Sequence, residues 1–269
     1  MNARALLTPA LGTVWGVSYA EGYLQGLVTP ATRELWEAWH FYGTQVFMGE
    51  AQVSERTVRR YGTPIERMKR LHRLAAVRHI VTTGTVHDSD LSPAHAGHVA
   101  NVYSYARPHP RWWLAREAVA LASPSAQLES VKRVGFDPER QVVVDREVAL
   151  EADADGPAGT VTPVEVGDRR LRLRVECPGP RVLVVADAWY PGWSVTVDSE
   201  PAELLRANYA FRAVMVPAGT HDVEFSFFPA TWGTALPMFG VGLLVVIALT
   251  VWPTRRPPRE GLEPPPGVG

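Results

Sequence analysis

The stretch Arg170-Leu171-Arg172-Leu173-Arg174-Val175-Glu176 decides the fold prediction, because apolar and charged residues alternate along it without a break. A period of two places the apolar residues on one face of a β-strand and the charged residues on the other, as in a sheet with one solvated face. Further strands are predicted downstream, at residues 182–186, 193–198, 209–216 and 221–228. Pro217-Ala218-Gly219-Thr220 is predicted to close a hairpin between the last two. Residues 151–230 are therefore predicted to form an antiparallel β-sandwich.

The region upstream, residues 1–150, mixes helix and strand patterns. Thr63, Pro64 and Glu66 form a helix start, with a capping box and a proline in the first turn. Strands are predicted at 79–83, 99–105 and 141–145. We therefore predict a mixed α/β subdomain at 1–150, a linker at 151–159 leading into the sandwich, and an α+β fold class for the chain.

The segment 231–253 is predicted to be a transmembrane helix, because it contains no charged residue. As a helix rising about 1.5 Å per residue it would extend roughly 33 Å, enough to cross the hydrocarbon core of a bilayer. A buried core helix is the alternative. Basic residues follow the segment, at Arg255, Arg256 and Arg259. The positive-inside rule then places the proline-rich tail, 254–269, in the cytoplasm as a disordered segment, and the bulk of the chain outside a bacterial cell membrane.

Composition excludes several function classes. The formal net charge of -1 gives no electrostatic case for a nucleic-acid partner. The single cysteine, Cys177, cannot form an internal disulfide. The sequence holds no Gly-x-Ser-x-Gly elbow, phosphate loop or dinucleotide fingerprint, so no cofactor is expected.

Two interpretations of the N-terminal residues stay open. Arg4, the apolar run 5–17 and the small residues around Tyr19 fit a signal peptide with a cleavage site. The chain fits equally well as the downstream part of a longer membrane protein. The two interpretations predict different mature N-termini.

Three motifs carry a family resemblance: LVVADAWYPGW at 183–193, NYAFRAV at 208–214 and VPAG at 216–219. They resemble the C-terminal extracytoplasmic region of YfhO-type bacterial membrane proteins, which are multi-spanning relatives of GT-C-type glycosyltransferases. The resemblance implies transfer of a sugar from a polyprenyl-phosphate carrier onto a cell-envelope polymer or lipid. This chain has Asp198-Ser199 where the family commonly has Asp-Gly, so the turn there is open to question. It also lacks the bundle that holds the family's acidic catalytic loop, so no catalytic residue is assigned.

The candidate substrate-binding residues lie in and beside the first two motifs. They are Trp189, Tyr190, Trp193, Arg206 and Asn208. Aromatic faces stack on the apolar face of a sugar, and arginine and asparagine side chains fix its orientation through hydrogen bonds. The alternative is that Pro191-Gly192 forms a turn and Trp193 packs in the sandwich core.

A histidine and aspartate cluster has some metal-ligand character but no cysteine and no rigid frame, so a polar loop is favoured and no metal is expected. The cluster is His87, Asp88, Asp90, His95 and His98. Asp187 and Asp198 form a weak candidate for a glycosidase pair.

Basic side chains on the first helices are candidates for lipid phosphates or anionic envelope polymers, against the simpler interpretation of a solvated surface. They are Arg56, Arg59, Arg60, Arg67, Lys69, Arg70 and Arg73.

Two functional hypotheses follow. The first is a membrane-anchored, non-catalytic extracytoplasmic part of a YfhO-like glycosyltransferase system. Its expected partners are the lipid bilayer, a multi-spanning membrane subunit, and a polyprenyl-phosphate sugar or envelope polysaccharide. The second is a stand-alone single-pass protein that binds carbohydrate or another envelope component. Whether this chain is an enzyme is left open by the sequence.

Overall fold

The computed structural model describes residues 59–60, 64–82, 85–98, 101–150, 156–229 and 232–251. The predictions for the N-terminal residues and for the tail at 254–269 lie outside these ranges. The elements are, in chain order, α1 (Pro64–Leu74), β1 (His79–Thr82), β2 (Leu91–Ala96), β3 (Asn101–Tyr105), β4 (Trp112–Ala115), β5 (Glu117–Ala120), α2 (Pro124–Lys132), β6 (Gln141–Val144), β7 (Thr160–Val166), β8 (Arg170–Cys177), β9 (Arg181–Ala188), β10 (Trp193–Val197), β11 (Glu200–Ala202), β12 (Leu205–Ala207), β13 (Phe211–Val216), β14 (Gly219–Phe227) and α3 (Trp232–Val251).

The strands form three sheets. The smallest has the order β1-β3-β2, a five-stranded sheet has the order β11-β10-β14-β8-β7, and a six-stranded sheet has the order β4-β9-β13-β12-β6-β5. All pairings are antiparallel except that of β5 with β6. The described chain is thus mostly β-structure, and its two larger sheets form the predicted sandwich.

The sandwich core lies between the five-stranded and the six-stranded sheet. In β8 the alternation is complete: Leu171, Leu173, Val175 and Cys177 are buried, and the residues between them are exposed. They pack against Leu183, Val185, Val214 and Val216 of the other sheet in one hydrophobic cluster. The alternating pattern that predicted a half-buried strand is confirmed.

The predicted hairpin at 217–220 is wrong, although both flanking strands exist. β13 pairs with β9 and β12, whereas β14 pairs with β8 and β10. The turn therefore carries the chain from one sheet to the other. This arrangement lets Val214 and Val223 enter the same core from opposite sides.

Strands from both halves of the chain build the six-stranded sheet. β4 pairs with β9 along four residues, and β6 bridges to β12 between Val144 and Ala207. The predicted boundary near residue 150 therefore falls between strands of one sheet, and residues up to Phe228 form one compact unit. The two helices α1 and α2 pack on this unit through Leu71, Leu74 and Val131, which contact Val143 and Phe211.

The predicted linker at 151–159 is partly described, and its last residues are packed. Arg181 is fully buried and its guanidinium donates a hydrogen bond to the carbonyl oxygen of Pro157. Gly159 has a φ of +104°, and a Cβ there would lie 2.2 Å from the carbonyl oxygen of Glu176. Only glycine fits at this position.

The turn at Asp198-Ser199 keeps a tight hairpin geometry without the family's glycine. Both residues have positive φ, 52° and 70°, and they connect β10 to β11. Positive φ at both central residues is the signature of a type I′ turn, which matches the twist of paired strands. Asp198 tolerates this conformation well, whereas Ser199 adopts it at a cost.

The C-terminal helix α3 belongs to a second compact unit, residues 229–269. It has 20 residues with one internal proline, Pro237, and its described side chains include exposed Met238, Phe239 and Leu249. The predicted helix is confirmed. Among the residues that the structure describes, no helix meets the combined length and apolarity of a membrane span. The transmembrane role of this segment stays a prediction.

Candidate functional site

Charged residues interrupt the apolar face of the sandwich at one end. In β9 the inward series Leu183 and Val185 continues to Asp187, and in β13 the inward series Val216 and Val214 continues to Arg212. Since side chains at i and i+2 share a face of a strand, both charged residues point into the space between the sheets. A core position that holds a charge needs a partner or a ligand.

Asp187 lies between two arginines. The guanidinium of Arg111, just before β4, donates two hydrogen bonds to its carboxylate, from Nε to Oδ1 at 2.7 Å and from Nη2 to Oδ2 at 3.0 Å. Arg212 Nη2 donates to Oδ2 at 2.7 Å. The Asp187 side chain remains 18% exposed and that of Arg111 43% exposed, so the group opens to solvent on the Arg111 side.

Arg212 is the buried member of this group, with a side chain only 3% exposed. Its guanidinium carbon lies 3.6 Å from the ring centre of Trp193 and 5.7 Å from that of Phe225. Burial lowers the pKa of Arg212 to about 10, with Asp187 opposing that shift and Arg111 adding to it. The guanidinium therefore stays protonated at neutral pH. Its Nε and Nη1 atoms make no hydrogen bond to any part of the chain that the structure describes.

These residues line an open cleft of about 390 Å³. The β7–β8 turn supplies its other wall. The lining residues are Arg111, Val166, Gly167, Asp168, Leu171, Asp187, Ala188, Trp193 and Arg212. The cleft thus combines guanidinium donors, carboxylate acceptors and an aromatic side chain. Two arginines and two aspartates balance its charge, so it suits a polar but neutral ligand.

The structure confirms that Trp193 packs against the sandwich core, whereas its role in substrate binding stays a prediction. Trp193 begins β10, is half-buried, packs against the sandwich core and also lines the cleft. Gly192 makes the preceding turn with a φ of +107°. Tyr190 is 46% exposed and lies beside Phe227, with ring centres 6.2 Å apart, rather than in the cleft.

Trp189, directly after β9, and Arg206, on β12, lie close together beside β13. Arg206 is the cross-strand partner of Arg212, and its guanidinium carbon lies 5.7 Å from the ring centre of Trp189. The same carbon lies 5.3 Å from the ring of Tyr209, and Arg206 Nε donates to the Tyr209 carbonyl oxygen at 2.6 Å. This pair therefore borders the cleft through Arg212.

Asn208 lies in the core and does not reach the cleft surface. It is fully buried with a φ of +47°, and its backbone N–H donates to the Val143 carbonyl oxygen at 2.7 Å. The Val143 N–H donates in turn to Asn208 Oδ1 at 2.9 Å. The side chain therefore extends the pairing of β6 with β12, which is a structural task.

The histidine and aspartate cluster is organised by a lysine. Lys69 of α1 donates from Nζ to Asp88 and Asp90, each at 2.7 Å. The predicted loop is partly a strand, since His95 lies on β2. Among the described residues no group of three or more histidine, cysteine, aspartate or glutamate side chains could hold a metal ion.

The basic side chains of α1 are tied to the protein. Arg70 donates to the carbonyl oxygen of Arg133, Arg73 pairs with Glu139, and Lys69 binds the two aspartates. Arg60 pairs with Glu129 at 3.4 Å. Each of these four side chains thus has a partner within the chain, and their binding to phosphate stays a prediction.

Asp187 and Asp198 are held by different partners. Asp198 accepts from the Asp222 N–H at 2.9 Å and lies 2.6 Å from His221 Nδ1, at the β10–β11 turn. It does not line the cleft. Arg111 and Arg212 are the site residues that the sequence prediction missed. The sequence signal that could have found Arg212 is its spacing, since it lies two residues before Val214 and four before Val216 on the inward face of β13.

Comparisons with known proteins gave partial matches. No protein-family model matches the chain, and no curated protein sequence does. Two cryo-EM structures of the arabinofuranosyltransferase AftD from mycobacteria are similar to part of it, the second being a point mutant. Their sequence identities are 25% and 27% over 38% and 39% of this chain, with a TM-score of 0.28 in each case. The match spans 8% and 9% of the AftD chain.

Proposed function

We propose that this chain is a membrane-anchored extracytoplasmic module that binds saccharide for a cell-envelope glycosyltransferase system, while another part of the system performs the transfer. The observation that carries the proposal is the cleft of Arg111, Asp187, Trp193 and Arg212 at the open end of the sandwich. The resemblance of the motifs at 183–193, 208–214 and 216–219 to YfhO-type proteins suggests the glycosyltransferase system. The cleft contains the polar groups for binding but no assigned nucleophile or metal.

The chemistry of the cleft favours saccharide hydroxyls over other ligands. A hydroxyl both donates and accepts, so it can use the arginine N–H groups and the aspartate oxygens at once. An aromatic residue among a few oriented polar groups is typical of small-molecule sites. A phosphate would meet Asp168 and Asp187 as like charges, and this repulsion would weaken its binding. The balanced charge therefore supports a neutral sugar.

The anchoring part of the proposal rests on the segment 231–253. Its described helix α3 carries exposed apolar side chains around its surface, including Leu243, Leu244, Val246 and Leu249. Exposed apolar surface of this extent is expensive in water and favourable in lipid. Arginines follow the segment in the sequence.

A binding measurement tests the saccharide role directly. The full chain in detergent micelles or nanodiscs is titrated by calorimetry with gluco-, manno-, galacto- and arabino-oligosaccharides. Asp187→Asn is compared with Asp222→Asn, since both remove one carboxylate charge that accepts two hydrogen bonds from an arginine. We expect at least one sugar to bind, a loss of more than tenfold for Asp187→Asn, and no loss for Asp222→Asn. Absence of binding to every sugar, or equal loss in both variants, would contradict the proposal.

Two further measurements test its other parts. Incubation with a polyprenyl-phosphate sugar and an acceptor should give no transfer, and robust turnover by this chain alone would overturn the non-catalytic role. The complete chain should require detergent to remain monomeric, whereas a chain ending at residue 230 should not. A complete chain that fractionates as a monomer without detergent would overturn the anchoring.

A further inference from the structure

We infer that the cleft continues into a second sugar subsite formed by Trp189 and Arg206, so that the ligand is an oligosaccharide rather than a single sugar. This inference rests on the proposed function and specifies its ligand. It is carried by a row of side chains on four neighbouring strands at the same end of the sandwich.

The row follows the strand order of the six-stranded sheet. Arg111 precedes β4, Asp187 is on β9, Arg212 is on β13 and Arg206 is on β12, and these strands are consecutive neighbours. Adjacent strands are about 4.8 Å apart, so the row extends about 14 Å. The row is therefore longer than a single sugar ring. Arg206, on the strand after that of Arg212, lies outside the cleft that Arg212 lines.

The Arg206 guanidinium is fixed by neighbouring groups but uses only part of its hydrogen-bonding capacity. Its guanidinium lies near two rings, Trp189 and buried Tyr209, and only Nε donates a hydrogen bond, to the Tyr209 carbonyl oxygen. The side chain is half-buried, and the two Nη groups have no hydrogen-bond partner among the described residues. Its direct neighbour across the strands is Arg212, another cation. Like charges directly opposite each other destabilise a sheet, and ligand oxygens between them would relieve this cost.

Trp189 supplies a preorganised aromatic surface beside this arginine. Its backbone N–H donates to the Ala210 carbonyl oxygen at 2.7 Å, which continues the β9–β13 pairing past the end of β9. Trp189 lies two residues after Asp187, and its half-buried ring contacts Arg206. A ring fixed in this way loses little entropy when a sugar stacks on it.

The test is a chain-length series on the full chain in nanodiscs. Gluco-, manno-, galacto- and arabino-oligosaccharides of one to six units are titrated against the wild type, Trp189→Ala and Arg206→Gln. The matched control is Arg174→Gln, which removes an exposed arginine on the outer face of the other sheet. Monosaccharide affinity serves as the internal check that the first subsite is intact in each variant.

We expect wild-type affinity to rise at least tenfold from one unit to longer chains. Trp189→Ala and Arg206→Gln should remove most of this rise and leave monosaccharide affinity unchanged, and Trp189→Phe should restore part of it. A wild type without a chain-length effect, or variants that keep it, would overturn the second subsite while leaving the proposed function standing. Absence of binding at every length would overturn both.

Discussion

Arginine–carboxylate pairs occur in two regions of the sandwich, and their surroundings differ. On the outer face of the five-stranded sheet, Arg174 donates two hydrogen bonds to Asp222 at 3.1 and 3.0 Å, and both side chains are about half exposed. At the open end of the core, Asp187 binds two arginines, of which Arg212 is almost fully buried. Exposed pairs of this kind contribute little stability, whereas a buried charge costs desolvation energy that its partner only partly offsets. The buried group therefore adds less to stability than its hydrogen bonds suggest, and the proposed saccharide site would give it a function.

The largest effect should follow from removing the buried carboxylate. Asp187→Ala leaves Arg212 charged and uncompensated in the core, so we expect the free energy of unfolding to fall by about 3 kcal/mol or more. Urea denaturation monitored by tryptophan fluorescence measures this change. A loss below about 1 kcal/mol would show that solvent at the cleft already compensates Arg212.

The double variant Arg212→Leu with Asp187→Leu sharpens this prediction. Removing both buried charges should recover most of the stability that Asp187→Ala loses, because apolar residues replace a desolvated ion pair at little cost. Saccharide binding should remain absent. A stable double variant that still binds would separate the cleft from the proposed function.

A second contrast, between two histidines in different surroundings, appears in the pH dependence of stability. Burial lowers the pKa of His72 to about 4, and the Tyr105 hydroxyl lies 2.5 Å from its Nδ1. Because the folded pKa is below the unfolded value of 6.5, stability is present above pH 6.5 and is lost as the pH falls towards 4, by up to about 3 kcal/mol. Burial of His109 acts in the same direction by lowering its pKa.

His221, whose side chain is 16% exposed and pairs with Asp198, should show the opposite sign and a smaller effect. Its hydrogen bond with Asp198 raises its pKa, so its contribution is complete below pH 6.5 and is lost as the pH rises through the folded value. The measurement is the urea midpoint of unfolding between pH 4 and pH 8. In His72→Gln the midpoint should fall less at acid pH than in the wild type, and in His221→Gln its pH dependence should change little. Equal acid slopes in wild type and His72→Gln would contradict the assignment.

A smaller gain is expected at the β10–β11 turn. Ser199 has a φ of 70°, a conformation that glycine adopts without a side-chain penalty. Ser199→Gly should raise the free energy of unfolding by about 1 kcal/mol despite the greater flexibility of the unfolded chain. The midpoint of thermal unfolding measures it. The neighbouring variant Asp198→Gly is the control and should lose stability, because Asp198 accepts the Asp222 N–H and binds His221.

The smallest effect should come from the outer pair. Asp222→Ala removes an exposed carboxylate whose pKa is lowered chiefly by the Arg174 hydrogen bond. We expect only a small loss of stability, which shrinks further in high salt. Urea denaturation at low and high salt checks both parts. A loss as large as that of Asp187→Ala would remove the contrast between the two regions.

The sequence predicted the sandwich where the alternation was strong, as in β8, and the helix starts where capping residues were present, as in α1. The sequence pattern could not assign strands to sheets. Val214 on β13 and Val223 on β14 are both inward apolar residues of the same core, although their strands belong to opposite sheets. The pattern missed β4, since Trp112-Trp113-Leu114-Ala115 has no alternating polarity.

The candidate site was only half predictable for a related reason. The sequence motif was enough to select Trp193 as a candidate. Arg111 was missed because it is 76 residues from Asp187 in the sequence, and no local pattern predicts a contact over that separation. The Asn208 side chain could hydrogen-bond a sugar, but in the structure it accepts a hydrogen bond from the Val143 N–H and so joins β6 to the end of β12. Burial, rather than residue type, decides between these uses.

The participation of β4 and β6 in the six-stranded sheet limits how the molecule can be dissected. A fragment that begins at residue 151 would leave β9 without β4 and β12 without β6. The unpaired backbone of such an edge recruits other chains, so the fragment should aggregate. Synthesis runs in the same direction, and β4 has to wait for β9 and then β13 before its sheet is complete. Folding of this region should accordingly be slow, since its pairings join residues far apart in the chain.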